Sequence, residues 1–447
     1  MKSILLSIAA LSLSLSLQAQ DVPAYYASAQ PEDKVAMTLN SIRERYVDSL
    51  DIRPWVEEYL MQIADSLDPH SEYIPAQQAP GQFPAGPTAM AQNAVLDASD
   101  GILAAYMVDK AVGCIDLSMF THATVPAFQQ RLADLRRQGM KHLVLNIQNN
   151  GGGYFESAID LADEFLRAGQ SIVHIHGAHI PGETEVARRQ GAYEEGRLAV
   201  LINGQTMSAA EIFAGALQDW DRALLIGTRT FGKGLIQETM PFADGSAFRY
   251  SVAAYNTPCG RSIQRPFAGI TARQYFRGPD AALERPDGAY GPDAPAYRSL
   301  SQGRTLYGCG GIAPDVYVCE DTLATSDWYL MLQFTGVIRY VAGTEDESKH
   351  EALLAEYPTF EAFQRGYDPS LLLQRVIDVA EHQAGFGAKP GDYERSADLV
   401  ALEAKAYLAR HLYGTDDCYY RLMDTRNLAL REAVRLLNNK KLYQQAF

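Results

Sequence analysis

Three short apolar runs constrain this chain most: "HLVLNIQ" from His142, "LAVLING" from Leu198 and "ALLIGT" from Ala223. Runs of this length and apolarity are strands that need helices to cover them. Helical spacing fills the intervals. Val125, Phe128, Leu132 and Leu135 make one apolar face, a second helix is expected from Phe155 to Arg167, and a third from Ser208 to Trp220. "GCIDLSMF" and "SIVHIHG" add two more strands. Repeated strand–helix–strand units predict an α/β domain. "MPFADGSAFRYSVAAY" then carries an Asp-Gly turn between alternating residues, which predicts a hairpin.

The flanks differ from this middle. Helical spacing from Asp33 to Leu67 predicts a small N-terminal helical region within 20–75. It ends at "DPHS", where Pro69 forces a turn. Residues 76–95, rich in Ala, Gln, Gly and Pro without periodicity, read as a linker. The core is expected over 96–320, with 261–307 an irregular surface excursion. Residues 321–447 are expected to be helical, most clearly at Leu399–Leu412 and Thr425–Leu437.

Residues 1–19 read as a secretory signal peptide, with Lys2 leading an apolar stretch from Ile4 to Leu17 and a small-residue cleavage site at "LQA". An exported, periplasmic location is expected. No later stretch is long enough to span a membrane, so an integral membrane protein is not expected. A formal charge of −15 argues against nucleic acid as partner, because phosphate contacts need concentrated Lys and Arg. The five cysteines are too few and scattered to staple the fold; Cys309 and Cys319 are the nearest pair. No His/Cys spacing suggests a metal, and no cofactor is implied.

Ser208 stands where the strand "LAVLING" turns into a helix, and "SAAE" fits a capping box with Glu211 reaching back. A helix start also offers outward N–H groups, so Ala209 is placed to donate to an oxyanion formed at Ser208. A nucleophilic serine needs a base. The histidines offer no persuasive partner: His70 lies in a turn, and His142, His174 and His176 lie in strands. Lys233, in the glycine-flanked "TFGKGLIQ", is the better candidate, since burial and a nearby helix start would lower its pKa. "NNGGG" after the first strand lacks a following GK[ST], so it suits a tight turn or a second oxyanion donor better than a phosphate loop.

Taken together, these segments resemble the C-terminal processing peptidases, tail-specific serine proteases of peptidase family S41, in the exported form common in Bacteroidetes. The resemblance runs through "IRERYVDSLDI", "LDPHSEYIP", "LVLNIQNNGGGYFESAIDLADEFL", "NGQTMSAAEIFAGALQDWDRALLIGTRTFGKGLIQ", "DGSAFRYSVAAYNTPCGRSIQ" and "GRTLYGCGGIAPDV", roughly Val35 to Val318 with one break. It implies a ClpP/crotonase-like core with Ser208 as nucleophile, Lys233 as general base and Gln237, one helical turn beyond, orienting the lysine. Ala209 and Gly152 or Gly153 would supply the oxyanion amides.

Three departures stand out. Such peptidases carry a PDZ domain where only the 76–95 linker lies here. Their "LDLR" strand reads "LNIQ", with Asn146 and Gln148; their serine loop reads "TMSAAE", with Met207 beside the serine and Ala210 in place of a hydroxyl. The expectation is a PDZ-less serine endopeptidase acting on extended polypeptides, with the helical regions available for a homo-oligomer or an adaptor. The alternatives are a catalytically silent periplasmic scaffold, or a hydrolase of small esters or amides.

Overall fold

The structure, a computed structural model, describes residues 30–76, 99–276, 294–320 and 323–447. The expected signal peptide, all but the first residue of the 76–95 linker, and residues 277–293 of the expected excursion lie outside the described residues. The chain divides into two compact units, Met1–Ser66 and Leu67–Phe447.

Among its described residues the first unit holds two helices, α1 (Pro31–Arg45) and α2 (Arg53–Leu67), the latter running one residue past the division. The side chain of Asp33 accepts the Gln30 N–H at 3.2 Å and closes the start of α1. Along α2 only Ala64 is buried.

The second unit is mixed α/β. In chain order it begins with β1 (Glu72–Ile74), β2 (Ile102–Met107), β3 (Val112–Leu117), α3 (Thr124–Arg137), β4 (His142–Asn146), α4 (Phe155–Ala162), β5 (Ser171–His176), β6 (Glu183–Val186) and β7 (Leu198–Ile202). It continues with α5 (Ala209–Asp219), β8 (Leu224–Gly227), β9 (Leu235–Pro241), β10 (Ala247–Asn256), α6 (Ala272–Phe276), β11 (Ala296–Arg298), β12 (Thr305–Tyr307) and β13 (Val316–Tyr317).

A six-stranded sheet runs β13-β8-β7-β4-β3-β2, parallel except for the antiparallel β2–β3 pair. Side chains alternate across it, as the pleat requires. Leu143, Leu145, Leu198, Val200 and Ile202 point into one core with Phe128, Leu132, Leu161, Phe213 and Leu217 of α3, α4 and α5. Val144, Ala199, Leu201, Leu224 and Ile226 point the other way, onto Leu430, Ala433, Leu436 and Tyr443. Those residues belong to the last two helices, α7 (Leu428–Leu437) and α8 (Lys440–Gln445), so the apolar runs are buried on both faces. Among the described residues six further helices lie between Asp327 and Met423 and pack round their own core of Trp328, Val341, Phe363, Val376 and Leu408.

A second, antiparallel sheet runs β1-β10-β5-β6, with β9 added to β10 as the expected hairpin. "SIVHIHG" therefore forms a strand, but not one of the parallel sheet. The 261–307 segment also departs from the expectation of a surface excursion. Arg261 is only 1% exposed and pairs with the buried Asp219 of α5 at 2.7 Å, because a carboxylate at the end of a buried helix needs a cation. Tyr275 is buried as well, and β11 and β12 form a second hairpin. All five cysteines are free thiols.

Candidate functional site

The turn from β7 into α5 is held from below. Thr206 Oγ1 donates to the Ile147 carbonyl at 2.9 Å and accepts the Asn203 N–H at 3.0 Å, while the Met207 N–H reaches the Asn150 carbonyl at 2.9 Å. Ser208, the N-cap of α5, is forced to φ 58° and ψ −120°, a conformation that L-residues seldom adopt. Its N–H donates to Glu211 Oε2 at 3.0 Å, and its carbonyl accepts from the Tyr255 hydroxyl at 3.1 Å and from the Glu211 N–H at 2.8 Å. The capping box expected from "SAAE" is thus present, with Glu211 reaching back to the Ser208 N–H and the Ser208 side chain facing the Glu211 N–H.

Glu211 joins this turn to the loop after β8. Its Oε2 also accepts the Lys233 N–H at 2.8 Å, and its Oε1 accepts the Gly232 N–H at 2.7 Å and the Thr230 hydroxyl at 2.5 Å. One carboxyl group therefore fixes the backbone of both Ser208 and Lys233. It is fully buried, and burial pushes its pKa up to about 7 against the pull of those donors. By residue type and spacing Glu211 reads only as a cap partner; its second role depends on residues 19 to 22 positions away.

Lys233 Nζ donates to Gln237 Oε1 at 2.9 Å. Gln237 stands on strand β9, not one turn along a helix as expected; the even spacing of 233, 235 and 237 keeps the two side chains on one face of an extended chain. Gln237 Nε2 in turn donates to the His70 carbonyl at 2.5 Å. That carbonyl is presented by a tight turn in which Asp68 Oδ1 accepts the N–H groups of His70 and Ser71, at 2.8 and 3.0 Å, and Asp68 Oδ2 accepts the Ser71 hydroxyl at 2.7 Å. The His70 ring is bonded to the Tyr275 hydroxyl at 2.9 Å, and burial first, then Lys233, lowers its pKa to about 4. His70 thus enters through its backbone, a role that residue type alone does not reveal, although the "LDPHS" match pointed to the segment.

Burial is also the main cause that lowers the Lys233 pKa, with Arg249 next. Ser208 and Lys233 share the site without a hydrogen bond between them.

The glycines after β4 close the other wall. Gly152 has φ 105°, and a Cβ there would lie 3.0 Å from Ser208 Cβ and 3.2 Å from the Ala209 nitrogen; at Gly153, φ 137°, it would lie 2.1 Å from the Phe120 carbonyl oxygen. Only glycine lets this loop approach the serine. The two candidate donors differ. The Gly152 N–H is occupied by Asn150 Oδ1 at 2.9 Å, whereas the N–H groups of Gly153 and Ala209 have no partner among the described residues.

These groups surround a cavity of about 710 Å³, lined by Ser208, Ala209, Gly152, Gly153, Lys233 and Gln237 together with Met119, Tyr154, Ile212, Leu235, Thr239, Arg249 and Tyr255. No histidine lines it. Among the described residues no cluster of His, Cys, Asp and Glu is suited to a metal, and no helix is long and apolar enough to cross a membrane.

Residues 111–273 match Peptidase family S41, and residues 328–414 match DUF8443, a family of unknown function. The chain is 38% identical over 156 residues to a chloroplastic C-terminal processing peptidase of Tetradesmus obliquus, covering 34% of this chain and 33% of that one. It is 37% identical over 186 residues to a carboxy-terminal-processing protease of Bartonella bacilliformis, covering 40% of this chain and 41% of that one. A solved photosystem II D1 C-terminal processing protease aligns at 30% identity and TM-score 0.34, over 48% of this chain and 44% of the other. The chain therefore spans about a third to two fifths of the length of the curated relatives it matches. Ser208, Lys233 and Gln237 lie within the stretch that matches Peptidase family S41, in a chain similar over part of its length to carboxy-terminal-processing proteases.

Proposed function

We propose that the protein is an exported serine endopeptidase that cleaves polypeptides in the periplasm with Ser208 and Lys233. The observation that carries this reading is that one buried carboxyl group, Glu211, ties the strained Ser208 and the half-buried Lys233 to the same cavity. Ser208 Oγ attacks the peptide carbonyl carbon, and Lys233 Nζ, whose lowered pKa favours the unprotonated form, takes the hydroxyl proton. The C–N bond then breaks, the proton passes from Lys233 to the leaving amine, and an ester on Ser208 remains. Water, deprotonated by Lys233, attacks that ester; the acid product leaves and Ser208 recovers its proton. Gln237 holds Lys233 by one hydrogen bond, so swinging Nζ toward Ser208 Oγ is the alignment that substrate must complete.

The free N–H groups of Ala209 and Gly153 are the oxyanion donors at rest, and Gly152 joins them only if Asn150 lets go. The reading carries with it the signal peptide at 1–19 and recognition of substrate without a PDZ domain. A second reading, a silent scaffold, is favoured by the missing Ser208–Lys233 hydrogen bond and the occupied Gly152 amide.

The test is cleavage of casein by the mature protein beside Ser208→Ala and Lys233→Ala, with a fluorophosphonate probe of Ser208. Cleavage and labelling that both variants abolish support the peptidase. Neither cleavage nor labelling by the unaltered protein sinks it and leaves the scaffold.

A further inference from the structure

Among the described residues Lys233 and Arg249 are the two charged side chains lining the cavity, in a chain whose formal charge is −15. A pocket with cations alone against so acidic a background selects for an anionic ligand group. Lys233 is desolvated toward its neutral form, whereas an arginine keeps its charge at any working pH. Arg249 lies on β10 directly opposite Thr239, two residues beyond Gln237 on β9. Its Nε reaches Thr239 Oγ1 at 3.4 Å, and one terminal nitrogen pairs with Glu72 Oε1 at 2.8 Å. The other terminal nitrogen has no partner among the described residues. Glu72 is half exposed, and pairs of that kind are weak enough for another carboxylate to displace.

We infer that Arg249 forms a carboxylate-binding subsite in the cavity and selects peptides carrying a carboxylate near the reacting bond. The inference rests on the peptidase reading only in taking the ligand to be a peptide. The carboxylate is that of a chain terminus or of an Asp or Glu side chain. Along an extended peptide at about 3.3 Å per residue, the offset from Gln237 to Thr239 places it about two to four residues from the scissile carbonyl.

Binding to full-length Ser208→Ala tests this without cleavage. Calorimetry would use an acetylated, alanine-rich peptide in three forms: with a free C-terminal carboxylate, with a C-terminal amide, and amidated with one glutamate moved along the chain. A carboxylate form should bind about tenfold tighter than the plain amide, as charge-assisted Arg–carboxylate bonds allow. The preference should vanish in Arg249→Gln, return in part in Arg249→Lys, and grow in Glu72→Gln. Free acid above all other forms assigns the terminus; equal gain from a placed glutamate assigns the side chain. Equal or undetectable binding of all three forms, or a preference that survives Arg249→Gln, overturns the subsite. Because this variant does not cleave, that failure is separate from failure of the unaltered protein to cut casein or label Ser208.

Discussion

Lys233 gives up solvation without gaining a carboxylate on its amine, since among the described residues Nζ hydrogen-bonds only the Gln237 amide. Two outcomes follow from its depressed pKa. Peptidase kcat/KM should rise with pH as Lys233 loses its proton, with a midpoint below the ordinary 10.5, and Arg249→Gln should move that midpoint upward by removing the second cause of the depression. A midpoint at or above the ordinary lysine value excludes Lys233 as the base. Between the depressed value and 10.5 the unfolded chain binds this proton more tightly than the folded one, so the half-buried lysine lowers stability at neutral pH. Lys233→Met should therefore abolish cleavage while raising the melting temperature at pH 7, measured by calorimetry. Gly152→Ala tests the opposite wall. Its new methyl would press on Ser208 Cβ in a backbone conformation that alanine resists, and kcat should fall about a hundredfold, the loss expected when an oxyanion wall is displaced.

At the scale of elements, the 68–74 segment reaches the site although it is remote in sequence. Its three-residue strand β1 pairs with β10, and its turn gives the His70 carbonyl to Gln237. Asp68→Ala removes three acceptor contacts from that turn and should lower kcat about tenfold while costing roughly 1–3 kcal/mol of stability, read together by kinetics and melting. Unchanged kcat would mean that Lys233 needs no help from this turn. The parallel strands were legible in sequence because double burial leaves uninterrupted apolar runs, as in β4, β7 and β8. The sheet to which "SIVHIHG" belongs was not, because strand partners are set by tertiary packing and not by local pattern. For the site, Ser208 and Lys233 stood out by residue type and glycine context. Gln237 stands on a strand and not on the expected helical turn, since a spacing of four suits both a helical face and an extended one. The second task of Glu211 carried no local signal, and at His70 the "LDPHS" match pointed to the segment but not to its carbonyl.

At the scale of the second unit, the large sheet meets the C-terminal helices through a buried acidic contact. Asp116 of β3 lies beside Asp424, and the Tyr106 hydroxyl donates to Asp424. Burial raises both carboxyl pKa values, and for Asp116 the neighbouring Asp424 adds to it. The sign is that of a raised acid: the stabilisation is fully present below the ordinary aspartate value of 3.8 and is lost as pH climbs through the raised folded value. Asp424→Asn should flatten that loss, so that its melting temperature changes less between pH 5 and pH 8 than that of the unaltered protein. A parallel decline in both would remove the pair from the account. The shared grip of Glu211 has a consequence for recombination. A chimera that imports the 228–237 loop from a relative without its own 206–211 turn would bring in amides measured for a different carboxylate, so breakpoints between these stretches should yield folded but inert proteins, and breakpoints outside both should yield working ones.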